Sequence, residues 1–225
     1  MTFFKYIEGG GVIGYLILAL SIAAVAFALP AVLRTRRSKL VPPTQMDDLR
    51  MQAEAGDFQA ALERCQGEEG DTFLGRIAAA GISRSFRSPL GGLEARAAME
   101  DAGEDETARL FRVIDPLALI ASVAPLLGLL GTVQGMIGAF ETVAGTAARS
   151  STYYETLAAN ISIALITTFQ GLVVAIPCVM AHSWLRGRID RAASDAGKAL
   201  EPLATSLERV GTDLAAAPRE GELVR

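Results

Sequence analysis

Three stretches of this sequence contain no Asp, Glu, Lys or Arg, and each is long enough to cross a lipid bilayer as a helix. They run from Gly9 to Leu33 (25 residues), from Pro116 to Phe140 (25 residues) and from Thr156 to Leu185 (30 residues). A helix rises about 1.5 Å per residue, so about 20 residues cross the hydrocarbon. The competing reading is three buried helices of a large soluble protein. The segments between the stretches are polar and leave no soluble core in which to bury them. Hydrophobic residues make up 51% of the chain and the mean hydropathy is +0.33. Their clustering into these stretches predicts an all-α membrane protein with three transmembrane helices.

The first stretch does not read as a cleaved signal peptide. Lys5 and Glu8 precede it, where a signal peptide has a basic start, and Arg34, Arg36, Arg37 and Lys39 follow it as a stop-transfer cluster. The same cluster sets the orientation, because Lys and Arg at span ends stay in the cytoplasm. Arg186, Arg188 and Arg191 follow the third stretch, whereas Glu141 to Glu155 holds one cation, Arg149. The N-terminus is therefore expected outside and the C-terminus in the cytoplasm.

The expected organisation follows. Residues 1–11 form a short external segment and 12–33 the first span. Residues 34–115 form a long helical cytoplasmic region, 116–140 the second span and 141–157 an external loop. Residues 158–185 form the third span, and 186–225 a cytoplasmic C-terminal helix and tail. Within the cytoplasmic region Pro42-Pro43 is expected to end the first element. Asp47 to Gln66 has a helical stripe of Leu49, Ala53, Phe58, Ala61 and Leu62, interrupted at Gly56. Gly67 to Gly70 reads as a turn, Phe73 to Phe86 as a second helix, and Ser88 to Gly92 as a break. From about Leu93 a charged helix is expected to run into the second span, with Pro116 as a kink or restart. The tail is helical in its spacing from Asp190 to Val210, and Ala215 to Arg225 is expected to be disordered.

Several kinds of chemistry find no support. A net charge of −4 argues against a general nucleic-acid binder. Cys65 and Cys178 are far apart and His182 is the single histidine, so no metal site and no cofactor site is expected. Gly9-Gly10-Gly11 lacks the Lys-Ser/Thr that would make it a phosphate loop. His182 and Trp184 suit the cytoplasmic interface at the end of a 30-residue stretch that would be about 45 Å long. No acid, base or metal cluster within the spans supports an enzyme.

The polar and small residues inside the spans are the candidates for function. Gly128, Gly131 and Gly135 on span two and Gly171 on span three let helices approach closely, with Gly131 and Gly135 in G-x-x-x-G spacing. Thr132 lies near the middle of span two; Thr167, Thr168 and Gln170 lie near the middle of span three. At 100° per residue, Ala121, Pro125, Gly128, Thr132 and Ala139 share one face. Ile161, Ala164, Thr168, Gly171 and Ala175 share another. Two such faces, each with a central hydroxyl, could grip another helix or line a narrow wet path.

Ala121 to Ile137 (ASVAPLLGLLGTVQGMI) resembles the second-span motif of the MotA/TolQ/ExbB proton-channel family, and Ile163 to Pro177 (IALITTFQGLVVAIP) resembles its third-span motif. Gly56-Asp57-Phe58 with Ala61-Leu62 is similar to the cytoplasmic helix pair of ExbB and TolQ. The resemblance covers nearly the whole chain. It implies an inner-membrane proton-channel subunit, a homopentamer surrounding a dimer of a single-span ExbD- or TolR-like partner that carries a proton-binding Asp. A TonB- or TolA-like protein would complete such a machine, and membrane lipids would surround it. Thr132 and Thr168 match the family's pore-facing threonines, with Thr167 and Gln170 as secondary polar positions. The implied function is conversion of the proton motive force into work on the cell envelope, as in TonB-dependent transport or Tol-Pal. ExbB and TolQ usually carry a Glu five residues before the threonine that Thr168 matches; here that residue is Ile163, which cannot titrate. The alternative is a non-conducting scaffold that anchors an envelope complex.

The topology is open to direct test. In a chain lacking Cys65 and Cys178, cysteines placed at Ala147 and Ser38 are expected to react with an impermeant reagent from opposite sides, Ala147 from outside. Labelling of both from one side would overturn the three-span arrangement.

Overall fold

The computed structural model describes residues 10–68, 70–87, 91–144 and 151–216. Among them every regular element is an α-helix. In chain order these are α1 (Gly11–Arg34), α2 (Arg37–Leu40), α3 (Pro43–Ala55), α4 (Phe58–Gln66), α5 (Phe73–Arg87), α6 (Gly91–Ala144) and α7 (Ser151–Ala216). Of the expected break at Ser88 to Gly92, residues 88–90 lie outside the described residues, and Gly91 and Gly92 already belong to α6. Residues 145–150 of the expected external loop and the tail 217–225 also lie outside the described residues, as does nearly all of the expected external segment 1–11. The helix of the tail continues through Ala215 and Ala216, where disorder was expected.

The chain divides into two compact units. The first comprises Met1–Val32 with Val113–Leu185, the second Leu33–Arg112 with Arg186–Arg225. Both α6 and α7 contribute to each.

The first unit is built for lipid. Among the described residues three helices, within Gly11–Arg34, Glu94–Ala144 and Tyr153–Arg209, are long and apolar enough to cross a membrane. Ile22 and Val25 on α1, Leu126 and Phe140 on α6, and Leu165 and Met180 on α7 each expose more than half of their surface. In water so much contiguous apolar surface would drive aggregation; in a bilayer it faces a solvent as apolar as itself. The inner faces carry small residues instead, among them Ala24, Ala31, Ala124 and Ala164. Pro30 lies inside α1, and Pro116 and Pro125 inside α6. Each removes one backbone N–H, yet α6 continues unbroken through Pro116, joining the charged segment to the apolar one. Helices in a bilayer tolerate such prolines because neighbouring groups satisfy the freed carbonyls.

The second unit has a soluble-type core. Leu49 and Ala53 of α3, Phe58, Ala61 and Cys65 of α4, and Phe73, Leu74 and Ile77 of α5 are buried together with Ala196, Leu200 and Leu203 of α7. Burial pushes the Cys65 thiol up to about 11, so it stays protonated at neutral pH. Pro42-Pro43 does not end the first element as expected. α1 stops at Arg34, and the proline pair opens α3: Pro42 is its extended N-cap, and Pro43 takes the first helical position, where a missing N–H costs nothing. The stripe expected from Asp47 to Gln66 breaks at Gly56, which adopts φ +72°. Gly56 N–H donates to the Ala53 carbonyl and Asp57 N–H to that of Gln52, closing α3; Asp57 then accepts from Ala60 N–H at 3.1 Å, opening α4.

Polar clamps fix the remaining helices. Gln45, buried, donates to the Gly70 carbonyl at 3.2 Å and accepts from Thr72 Oγ1 at 2.5 Å, while Thr72 Oγ1 accepts from Gly75 N–H at the start of α5. Glu106 is buried and accepts from Arg76 and Arg109, each at 2.8 Å. Arg96 of α6 reaches across to Glu208 at 2.6 Å and Glu201 at 3.0 Å on α7. The Arg96 hydrogen bonds hold the Glu201 carboxyl below the usual carboxylate range. This attraction is present above that range and fades as pH falls through it.

Glycines in this unit have opposite environments. A methyl group on Gly75 would collide with the Gly70 carbonyl and the Gln45 amide, whereas one on Gly197 would meet nothing within 4 Å. Gly75→Ala is therefore expected to destabilise the fold by about 1–3 kcal/mol through overpacking. Gly197→Ala should stabilise it by roughly 0.5–1 kcal/mol through helix propensity. Thermal unfolding of the two variants decides; equal effects would refute the packing described.

Candidate functional site

The site grows from the seam between α6 and α7 in the first unit. The glycines of α6 meet α7 backbone to backbone. A Cβ on Gly128 would stand 3.0 Å from the Thr167 carbonyl oxygen, and one on Gly135 would stand 2.7 Å from that of Asn160. Gly131 faces the Thr167 side chain, closer than any Cβ could come, and Gly171 faces the Ala124 carbonyl. The matching pairs run in opposite directions along the two helices, from Gly138 with Asn160 to Ala124 with Gly171, so the helices are antiparallel. Distance explains the small residues in this seam: any side chain at these glycines would force the helices apart.

The sequence-derived faces are rotated with respect to this seam. Its centre is Ala124, Gly128, Gly131 and Gly135 on α6, against Ala164, Thr167 and Gly171 on α7, all buried. Thr132 and Thr168 lie at the seam's edge and are half-buried. Because Gly131 faces Thr167, the next residue on each helix emerges beside the seam. Antiparallel packing reverses both chain direction and the apparent sense of rotation, so Thr132 and Thr168 emerge on the same side.

A single carbonyl joins them. Thr168 Oγ1 donates to the Gly128 carbonyl at 3.2 Å across the helix pair. In a continuous α-helix that carbonyl also takes the Thr132 N–H. Thr132 Oγ1 in turn donates to the Leu129 carbonyl at 2.6 Å. Both hydroxyl hydrogens are thus committed to backbone carbonyls. What each threonine has left to offer is an oxygen lone pair, an acceptor.

The other sequence-derived positions play different parts. Thr167 is fully buried in the seam, and its hydroxyl bonds back to the Ile163 and Ala164 carbonyls, both at 3.0 Å. It packs rather than presents a polar group. Gln170 is half-buried, with its Oε1 beside Gly10 at the start of α1. Ile163 is half-buried. The structure also brings together a pair that sequence reasoning passed over. Asn160 Nδ2 donates to Thr142 Oγ1 at 3.4 Å, Thr142 donates to the Gly138 carbonyl at 2.8 Å, and the Asn160 amide lies against the bare Cα of Gly138. The available signal was an Asn inside a charge-free stretch. Among the described residues no His, Cys, Asp and Glu group could hold a metal ion.

Comparison with known proteins places this geometry in context. The profile of the MotA/TolQ/ExbB proton channel family matches residues 69–197, more than half of the chain. A protein of Methanothermobacter thermautotrophicus described as a biopolymer transport protein ExbB homolog is 30% identical over 194 residues. The aligned region covers 84% of this chain and 64% of that relative, so the chain spans less than two thirds of the relative's length.

The seam makes a contrast that unfolding can measure. Gly131→Ala must displace the buried Thr167 and is expected to cost about 1–3 kcal/mol. Thr167→Val keeps the volume and removes only a back-bond to its own helix, so it should cost about 0.6 kcal/mol or less. Denaturation in mild detergent should rank the two in that order; the reverse order would mean that the hydroxyl, and not the close approach, holds the seam.

Proposed function

The chain belongs to the MotA/TolQ/ExbB proton channel family, and from that premise we propose that it is the proton-path subunit of an inner-membrane motor whose titrating acid comes from a partner. The observation that carries this reading is the pair of half-buried threonines joined through the Gly128 carbonyl, with both hydroxyl hydrogens already spent.

A carboxylate in hydrocarbon is expensive, about 2.5–3.5 kcal/mol on insertion scales, and its neutral form is much less so. A neutral carboxylic acid carries an O–H donor; a carboxylate carries none. Acceptor lone pairs at Thr132 and Thr168 therefore suit the protonated acid and offer the ionised one nothing. The partner's acid takes a proton on the outer side, becomes neutral, is held at the threonines, and releases the proton inside. The drive is about 2.3 kcal/mol per charge per 100 mV. This chain supplies orientation and a path of low polarity, while Ile163 contributes packing and no proton. The partner is a dimer of an ExbD- or TolR-like single-span protein. The chain forms a homopentamer around it, with the N-terminus outside and the second unit in the cytoplasm. A TonB- or TolA-like protein receives the work, in TonB-dependent transport or Tol-Pal.

Flux and assembly measured with the partner test this. Thr132→Val and Thr168→Val keep the shape and remove the acceptors. Each lost bond of about 1.4 kcal/mol corresponds to tenfold, so the double variant should lose at least tenfold in proton flux while still assembling. Ile163→Ala should matter less. Intact flux in the double variant, with Ile163→Ala at least as harmful, would replace the channel reading with that of a non-conducting scaffold.

A further inference from the structure

The second unit holds a cleft of about 540 Å³ between α5, α6 and α7. Its floor is apolar: Phe73, Ile77, Met99, Phe111 and Leu200. Two glycines leave it empty. A Cβ on Gly103 would meet only Ile77 Cδ1, at 3.8 Å, and one on Gly197 would meet nothing within 4 Å. Both glycines line the cleft. Neither is needed for a turn or a close approach, and each lowers helix propensity. Larger side chains would fit, stabilise the helices and close the space.

The rim is acidic. Glu100 and Glu104 stand one turn apart on α6, where like charges repel. Among the described residues neither makes an ion pair, nor do Asp101 and Asp105 beside them, whereas Glu201, the third carboxylate of the lining, is held by Arg96. The cations at the two ends of the cleft are engaged elsewhere. Arg96, at one end, is bound to Glu201 and Glu208, and Arg186 lies over the Phe111 ring, 5.4 Å from its centroid, at the other. Between these ends an apolar floor runs under two uncompensated carboxylates. From Arg96 to Phe111 the cleft follows about 22 Å of helix.

We infer that this cleft docks a basic amphipathic helix, the cytoplasmic flank of the single-span partner. The inference rests on the proposed function for the side of the membrane and for the partner. A single-span protein carries its Lys and Arg excess on its cytoplasmic flank. An amphipathic helix of that kind puts Leu-like side chains on the floor and ammonium or guanidinium groups at Glu100 and Glu104. Anionic lipid headgroups would be repelled by the same two carboxylates. Phe111 is five residues from Pro116, where the charge-free stretch begins, so the docking helix would start close to the partner's own span.

The probe is a fluorescent synthetic helix of about 15 residues, with Leu at helical spacing and Lys elsewhere; its control has Glu in place of Lys. The full chain is held in nanodiscs of zwitterionic lipid, and binding is read by anisotropy. The Lys helix should bind and the Glu helix should not. Glu100→Gln with Glu104→Gln, and separately Gly103→Leu with Gly197→Leu, should each weaken binding at least tenfold. The leucine variant should keep its oligomeric state and melt no lower than the parent. Absence of binding, or equal binding by all variants, would overturn the proposal. Loss of the native oligomer in the leucine variant would overturn it too, by making the occupant a second copy of this chain. The assay needs no proton flow. Failed binding with normal flux removes the cleft assignment alone, and normal binding without flux removes the channel reading alone.

Discussion

The approach of α6 and α7 to backbone contact governs the first unit, and glycine is what permits it. In lipid there is no hydrophobic drive between helices, since the acyl chains are as apolar as leucine. Association has to come from dense packing and from polar groups that find each other. Gly128, Gly131, Gly135 and Gly171 supply the packing. The hydrogen bond from Thr168 to the Gly128 carbonyl exists only because no side chain stands between the helices. Separate them by the width of a methyl group and that bond breaks, Thr132 and Thr168 cease to be neighbours, and the half-buried edge they form is lost.

The same contact decides the chemistry of the edge. A threonine in a helix commonly returns its hydrogen to a carbonyl one turn back. Here Thr132 and Thr167 do so, while the Thr168 hydroxyl, 3.5 Å from the Ala164 carbonyl one turn back, lies closer to the Gly128 carbonyl of the other helix, at 3.2 Å. The result is a pair of oxygen acceptors with no titratable group of their own. Ile163 adds no titratable group to them, so on the proposed reading any preference for a neutral acid comes from unspent lone pairs and not from fixed charge.

The second unit obeys different physics. Its core is a soluble-type cluster, and its helices are tied by arginine and carboxylate at contact distance. Glu106 between Arg76 and Arg109 is the most buried of these carboxylates. Removing one arginine would leave a charge short of partners, which costs more than the intact group contributes. The exposed pairs, such as Arg50 with Glu54, add little. Among the described residues Glu100 and Glu104 differ from these in making no ion pair while lining an apolar cleft.

The helical class, the three spans and the small-residue character of the contact were all legible in the sequence. Each follows from local rules: charge-free length, 3.6-residue periodicity and the absence of side chains. Gly56 as a helix end was legible for the same reason, although Pro42-Pro43 was misread because proline can end one helix or begin the next. Which face of α6 meets which face of α7 was not legible. Thr132 and Thr168 were assigned to the centres of their faces and lie at the edge, because a 100° wheel gives neighbours on one helix but not the rotation of that helix against another. Thr167 and Thr168 are adjacent in sequence with the same side chain, yet one is sealed in the seam and the other reaches across it. The Asn160 and Thr142 pair and the cleft over Gly103 and Gly197 are likewise tertiary facts. Each depends on residues far apart in the chain arriving at one level, and register between helices is set by the summed fit of the whole seam, which no local pattern encodes.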